Sequence, residues 1–238
     1  MKLGLLNCYH WDGQPDSYQA RYRDLWADYL SPFLSTTDAL VVYELPRGHF
    51  PESVHDCDGW IIGGSGKSCY EHDGWILRLQ DWVRTCAEHR RRLLGICFGH
   101  QIIAKSLGGE VSKSKKGWGI GVRSFHFDEI PQWYAGNETE WMKQASLIFS
   151  HQDQVDVVPD NVSIIARDEF CPVQSFTVGR HIFTLQGHPE YTPAFARSRL
   201  LGRESVFGEN VFNKAILSLG EQAHAKAFRQ MIMAFFRP

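Results

Sequence analysis

The centre of the chain reads LGICFGHQ over residues 94–101. The apolar run from Leu93 to Ile96 predicts a short buried strand, and the pattern from Phe98 to Leu107 predicts a helix. Cys97 lies at the junction, with a glycine two residues away on either side. This G-x-nucleophile-x-G arrangement is typical of a nucleophile elbow, here with sulfur in place of oxygen. The stretch therefore predicts an α/β fold with Cys97 as its nucleophile.

The surroundings of Cys97 favour a thiolate. Side chains larger than glycine at positions 95 and 99 would collide with the neighbouring strand and helix. The positive end of the helix dipole stabilises an anionic sulfur, and the unpaired N–H of Phe98 can donate to a developing oxyanion. Cysteines elsewhere are usually small buried apolar residues, and four fit that description: Cys8, Cys57, Cys86 and Cys171.

The sequence QGHPE at residues 186–190 supplies a candidate base. His188 follows the predicted strand His181 to Gln186, and catalytic groups gather at the carboxyl ends of strands in open α/β sheets. Glu190 can orient one imidazole nitrogen while the other faces sulfur. A His-Pro-Glu tripeptide alone is more typical of an ordinary turn. Together with the elbow, it predicts a triad of Cys97, His188 and Glu190.

The remaining pattern predicts a three-layer α/β/α sandwich. Strands alternate with helices in the first half, which favours a parallel sheet covered on both faces. Hairpin-linked strands in the second half favour an antiparallel extension. We expect one domain over residues 1–238, with these further elements: strands Leu3 to Leu6, Ala39 to Tyr43, Trp60 to Ile62, Val122 to Phe127, Ser146 to Phe149, Val162 to Ala166 and Val173 to Val178, and helices Tyr18 to Leu30, 74–90 and 221–236.

Composition excludes several functional classes. Lys plus Arg is 25 and Asp plus Glu is 27, so the chain lacks the basic surface of a nucleic-acid binder. No apolar run is long enough to span a membrane, and the N-terminus does not have the pattern of a signal peptide. A cytoplasmic location is expected, with the six cysteines as free thiols. No C-x-x-C pair is present, so no metal site is predicted.

The two motifs GICFGHQ, residues 95–101, and GHPE, residues 187–190, resemble those of class I (triad) glutamine amidotransferases. The likeness extends over nearly the whole chain and is greatest to stand-alone members similar to the amidotransferase domain of GMP synthase. It implies a flavodoxin-like, mostly parallel sheet and no cofactor. It also implies that Cys97 attacks a γ-carboxamide, that His188 protonates the leaving amine, and that Glu190 orients His188.

The same resemblance assigns further residues. The loop Gly63-Gly64-Ser65 matches the family's glycine-rich loop, so it implies that Gly64 is a second oxyanion donor beside Phe98. The segment from Ser150 to Val155 matches the loop that reads the amino and carboxylate ends of the substrate. The implied substrate-binding residues are Gly63, Gln101, Gln152, Asp153 and Gln154.

The glycine-rich loop departs from the family pattern because it lacks the proline that many members carry there. Its continuation Gly66-Lys67-Ser68 looks like the end of a phosphate-binding P-loop. That motif requires glycine at position 61, which is Ile61 here, so no ATP site is predicted.

Two interpretations of the substrate stay open. The chain is either a glutaminase subunit that passes ammonia to a separate synthase, or a hydrolase of γ-glutamyl amides and peptides that acts alone. Other classes are a non-catalytic regulatory module and a cysteine peptidase or deglycase, which the intact motifs disfavour. We expect no part of this sequence to form an ATP-dependent synthetase domain. A larger pocket would involve some of Tyr70, His72, Trp75 and Trp118, although these aromatic residues also suit the surface or the core.

Overall fold

The fold is built on a nine-stranded sheet and a separate two-stranded ribbon. The computed structural model describes residues 1–9, 16–134, 139–221 and 223–237. The strands are β1 (Lys2–Asn7), β2 (Ala39–Glu44), β3 (Gly59–Ile62), β4 (Arg92–Ile96), β5 (Glu110–Lys113), β6 (Gly119–Phe127), β7 (Ala145–His151), β8 (Asp153–Val157), β9 (Ser163–Arg167), β10 (Ser175–Val178) and β11 (Ile182–Leu185).

Helices flank this sheet. The α-helices are α1 (Asp16–Leu30), α2 (Gly74–Glu88), α3 (Phe98–Ser106), α4 (Pro193–Leu200), α5 (Glu204–Phe207), α6 (Glu209–Ser218) and α7 (Ala225–Phe236). Short 3-10 helices cover Ser31–Phe33, Leu45–Arg47 and Glu140–Gln144. Within the described ranges, no helix is long and apolar enough to cross a bilayer.

The strand order confirms the predicted fold class. Strands β2-β1-β3-β4-β11 are parallel and take the flavodoxin-like order, and β10-β9-β6-β7 continue the sheet with antiparallel pairing. Strands β3 and β4 lie in the middle, where their side chains are buried on both faces. The nucleophile segment therefore leaves the sheet from the end of a buried strand.

Alternating side chains of the parallel strands enter two separate cores. Ile61 and Leu94 pack on the face that contains α1 and α7, whereas Ile62 and Leu93 pack on the face that contains α2 and α3. This division is the three-layer arrangement that the sequence predicts. It leaves the carboxyl ends of β3, β4 and β11 together at one edge of the sheet.

The structure corrects the prediction of a loop between Ser150 and Val155. Strand β7 runs to His151 and β8 starts at Asp153, so only one residue separates them. Strand β8 pairs with β5, which the sequence analysis also missed. The sequence EVSK of β5 is short and mostly exposed, so it carries no alternating apolar pattern from which a strand can be predicted.

Helices α4 to α6 were missed as well. The start of α4 carries a recognisable signal, because the Thr192 hydroxyl accepts a hydrogen bond from the Phe195 N–H at 3.1 Å and Pro193 is the first helical residue. The last helix starts at Ala225 rather than near 221, because His224 exchanges hydrogen bonds with Ser146 on β7 before the helix begins.

Candidate active site

Cys97 lies in a strained turn between β4 and α3. Its φ of 53° and ψ of −103° fall where side-chain-bearing residues are rarely found. A Cβ on Gly95 would lie 2.6 Å from the Gly99 carbonyl oxygen, and a Cβ on Gly99 would lie 2.2 Å from the Ile62 carbonyl oxygen. Both glycines are therefore required by close backbone packing, which holds the elbow in place.

His188 and Glu190 meet Cys97 across the carboxyl end of the sheet. The backbone N–H of His188 donates to the Ile148 carbonyl oxygen at 2.8 Å. The ring atom Nδ1 of His188 lies 2.8 Å from Glu190 Oε1. Because an ionised carboxylate only accepts, Nδ1 carries a proton and donates to Glu190, which leaves Nε2 to face the sulfur. The His188 ring is also hydrogen-bonded to Cys97 and stacks on Tyr191 with 3.9 Å between ring centroids.

The charges around His188 favour an imidazolium. Burial alone would lower its pKa, but the negative charges of Glu190 and Cys97 outweigh burial and raise the pKa. For the other five thiols, burial raises the pKa and so favours the protonated form; these are Cys8, Cys57, Cys69, Cys86 and Cys171. Only Cys97 has a buried imidazole as a hydrogen-bond partner among these described cysteines.

The Gly63-Gly64 loop borders this cluster in a way the sequence did not reveal. A Cβ on Gly64 would lie 2.9 Å from Cε1 of His188, so the loop touches the imidazole. The Gly64 N–H donates to the hydroxyl of Tyr22 at 2.7 Å, and that hydroxyl donates to Glu190 Oε1 at 3.1 Å. The predicted oxyanion donor is thus already hydrogen-bonded inside the protein.

A cavity of about 270 Å³ opens above Cys97. One wall is the loop from Ser65 to Ser68, and the floor is the start of α3. The opposite wall is the turn between β7 and β8, together with Lys113, Trp118 and Arg203. The cavity is therefore shared between the parallel half of the sheet and the β5–β8 ribbon.

Three of the predicted substrate-binding residues line this cavity: Gln101, Gln152 and Asp153. Gln101 Nε2 donates to the Asp153 carbonyl oxygen at 2.8 Å and to Gln186 Oε1 at 3.1 Å. With both amide protons used inside the protein, the carbonyl oxygen of Gln101 is the part of its amide left to accept a further hydrogen bond. The Asp153 carboxylate is held by the Tyr70 hydroxyl at 3.2 Å.

The other two predicted residues, Gly63 and Gln154, are not among the residues that line the cavity. Neighbouring residues of a strand point to opposite faces, so Gln154 is buried behind Asp153 on β8. Gly63 packs against Tyr22, whose hydroxyl would lie 2.8 Å from a Cβ at that position.

Of the aromatic residues considered for a larger pocket, Trp118 lines the cavity. Trp75 packs on Phe98 with 5.7 Å between ring centroids, and Tyr70 contacts Asp153. His72 does not line the cavity.

The sequence analysis missed His151 and Arg203, which also line the cavity. Burial lowers the pKa of His151 to about 4, so its imidazole is neutral at pH 7. His151 Nδ1 lies 3.0 Å from the Asp153 carbonyl oxygen, so Nδ1 carries the proton and Nε2 is an acceptor. His151 could have been suspected from its place beside Gln152, but Arg203 belongs to a region whose helices were not predicted.

The loop that looks like a P-loop does not present a free lysine. Lys67 Nζ lies 3.3 Å from Glu71 and 3.8 Å from Asp73. Two carboxylates beside this lysine disfavour a phosphate. Across the described part of the chain, no group of three or more His, Cys, Asp or Glu side chains is placed to hold a metal ion.

Known proteins resemble this chain in sequence and in fold. The family model "Glutamine amidotransferase class-I" matches residues 42–206. Gamma-glutamyl peptidase 3 of Arabidopsis thaliana is 32% identical over 175 residues, which cover 70% of each chain. GMP synthase [glutamine-hydrolyzing] of Thermotoga maritima is 31% identical over 144 residues, or 59% of this chain and 26% of that protein. A crystal structure of a glutamine amidotransferase from Thermotoga maritima superposes with a TM-score of 0.72 at 16% identity, covering 98% of this chain and 95% of that one.

Proposed function

Because this chain belongs to the class-I glutamine amidotransferase family, we propose that it hydrolyses γ-glutamyl amides through a thioester on Cys97. The contact between a strained thiol and a buried His188–Glu190 pair, at the bottom of an open cavity, carries the proposal. We also propose that residues 1–238 act as one domain, since a single sheet joins both halves.

In the proposed reaction, one proton leaves Nε2 of His188 and is later replaced. The Cys97 thiolate attacks the γ-carbonyl carbon, and the tetrahedral oxyanion collapses as His188 Nε2 gives its proton to the leaving nitrogen. A γ-glutamyl thioester and a free amine result. Water then gives a proton to His188 and attacks the thioester, which releases glutamate and restores the thiolate. Glu190 keeps the imidazole oriented through Nδ1.

Two backbone N–H groups serve the oxyanion in this proposal. Phe98 is the first residue of α3 and lines the cavity, so its N–H lies where the helix dipole is most positive. Gly64 is the second donor, and its N–H must exchange the Tyr22 hydroxyl for the oxyanion. The exchange is favoured once charge develops, because an anionic oxygen is a stronger acceptor than a phenol.

The ribbon side of the cavity suits the amino acid end of the substrate. Gln101 Oε1 and the Asp153 carboxylate are acceptors, which match an α-ammonium group. Lys113, Trp118 and Arg203 also line the cavity and offer cationic and aromatic contacts to a ligand larger than glutamine. They support hydrolysis of larger γ-glutamyl peptides by the chain alone. The relatives named gamma-glutamyl peptidases support the same choice. Ammonia transfer to a synthase partner is the second candidate, supported by the GMP synthase relative.

A panel of amides tests the proposal. Glutamate release is measured with glutamine, γ-glutamyl dipeptides and, as the matched control, α-glutamyl dipeptides. We expect release from the γ-linked compounds only, faster from dipeptides than from glutamine. Cys97→Ser should lower kcat by about a thousandfold or more, because the hydroxyl is a far weaker nucleophile in this environment. Release from α-glutamyl dipeptides, or an unchanged rate in Cys97→Ser, would contradict the proposal.

A further inference from the structure

Tyr22 on α1 joins two parts of the proposed active site through one atom. Its fully buried hydroxyl accepts from the Gly64 N–H at 2.7 Å and donates to Glu190 Oε1 at 3.1 Å. The same carboxylate oxygen lies 2.8 Å from His188 Nδ1. A single phenol oxygen therefore connects the glycine loop to the carboxylate that orients the imidazole.

The direction of both hydrogen bonds follows from the groups involved. A backbone N–H can only donate and an ionised carboxylate can only accept, so the one phenol proton of Tyr22 points to Glu190. Burial, and to a lesser extent the charge of Glu190, raise the pKa of Tyr22 well above its usual range. The hydroxyl therefore keeps its proton, and the link has only one arrangement.

Packing fixes the position of this hydroxyl. The ring of Tyr9 stacks on Tyr22 with 4.5 Å between centroids and 17° between planes. Tyr191 meets Tyr22 edge-on at 6.3 Å and itself stacks on His188. At Gly63 an added Cβ would lie 2.8 Å from the Tyr22 oxygen, so the loop closes over it. The tyrosine cannot turn away without disturbing the imidazole.

We propose that Tyr22 is a positioning residue for the hydrolysis, acting on Glu190 and on Gly64 at once. The proposal rests on the proposed function of the same site. Glu190 Oε2 is buried without a hydrogen-bond partner among the described residues, so Oε1 alone anchors the carboxylate. Without the Tyr22 hydroxyl, only His188 holds that oxygen, and the carboxylate orients the imidazole towards Cys97 less firmly.

The second effect concerns the oxyanion. The Tyr22 oxygen occupies the Gly64 N–H while no oxyanion is present, and it keeps that N–H beside His188. A developing oxyanion competes for the same N–H only in the transition state. Without the hydroxyl, the Gly64 N–H is no longer held beside His188, and ground-state binding does not use this link, so kcat falls more than KM.

Tyr22→Phe tests the proposal, and Tyr29→Phe is its matched control. Tyr29 is also a buried tyrosine on α1, but its hydroxyl donates to the Ala225 carbonyl oxygen at 3.0 Å rather than to Glu190. We expect Tyr22→Phe to lower kcat for a γ-glutamyl dipeptide about tenfold with KM within about twofold, the size typical of a lost hydrogen bond to a charged group. Alkylation of Cys97 by iodoacetamide at pH 7 should slow about fivefold. Tyr29→Phe should leave all three quantities within about twofold of the wild type.

Each result of these measurements either supports or overturns the positioning role of Tyr22. Equal kcat and equal alkylation rates in the two variants would overturn the positioning role. Failure of Tyr22→Phe to fold, when Tyr29→Phe folds, would also overturn it, because the hydroxyl would then be structural. If the wild type releases no glutamate from any γ-glutamyl amide, the proposed function fails. Alkylation of Cys97 still reports whether Tyr22 controls the thiol, so the two failures are distinguishable.

Discussion

The two walls of the cavity are built in different ways. The wall that follows the carboxyl ends of β3 and β4, at residues 65–68 and at the start of α3, rests on closely packed backbone, where Gly99 lies against the Ile62 carbonyl. The wall formed by the β5–β8 ribbon consists of partly exposed side chains on a short two-stranded pairing, such as Asp153 and Lys113. In the proposed function, the first wall carries Cys97 and the second meets the rest of the substrate. We infer that the first tolerates almost no change and the second tolerates many.

The largest effect is expected at the packed wall. Gly99→Ala would place a Cβ 2.2 Å from the Ile62 carbonyl oxygen, so the backbone of β3 or α3 must move. We expect a loss of about 3 kcal/mol in the free energy of unfolding, at the upper end for overpacked sites. Urea unfolding followed by circular dichroism measures it.

A glycine in open space provides the control for that measurement. Gly74 is the first residue of α2, and an added Cβ there meets nothing within 4 Å. Gly74→Ala should leave the free energy of unfolding unchanged or raise it by up to about 1 kcal/mol. Equal stabilities of the two variants would remove the claim that the packed wall is intolerant.

The same contrast explains what could be predicted from the sequence. The elbow around Cys97 and the turn at His188 follow buried parallel strands, and their glycines and apolar runs are local signals. The ribbon was missed because β5 gains its partner from a strand about forty residues away and carries little apolar pattern of its own. Tyr22 was missed for another reason: its partners Gly64 and Glu190 are distant in sequence, and nothing in its own helix marks it.

The pH dependence of stability tests the burial of His151, which lies at the end of β7 beside the ribbon. His151 is 4% exposed, and burial lowers its pKa to about 4, whereas in the unfolded chain it is near 6.5. Between these values the unfolded chain binds a proton that the folded protein does not, so stability present above pH 6.5 is lost as the pH falls. At pH 5 this term is about 2 kcal/mol.

The measurement is the drop in the free energy of unfolding between pH 7.5 and pH 5. We expect the drop to be about 2 kcal/mol smaller in His151→Gln than in the wild type. His126→Gln is the control, because that side chain is half exposed and should change the drop little. An identical drop in all three proteins would mean that His151 is not buried as a neutral imidazole.

The smallest effect is expected at the exposed part of the ribbon. Asp153 presents a carboxylate to the cavity and is held by Tyr70, so Asp153→Asn removes one charge and little volume. We expect KM for a γ-glutamyl dipeptide to rise about tenfold at nearly constant kcat, because a charge-assisted hydrogen bond to the α-ammonium is lost equally from ground and transition states. Glu71→Gln is the matched control: this carboxylate also lines the cavity but is paired with Lys67, so KM should change less than about twofold. A fall in kcat at constant KM in Asp153→Asn would instead place Asp153 with the catalytic groups, and the division between the two walls would no longer hold.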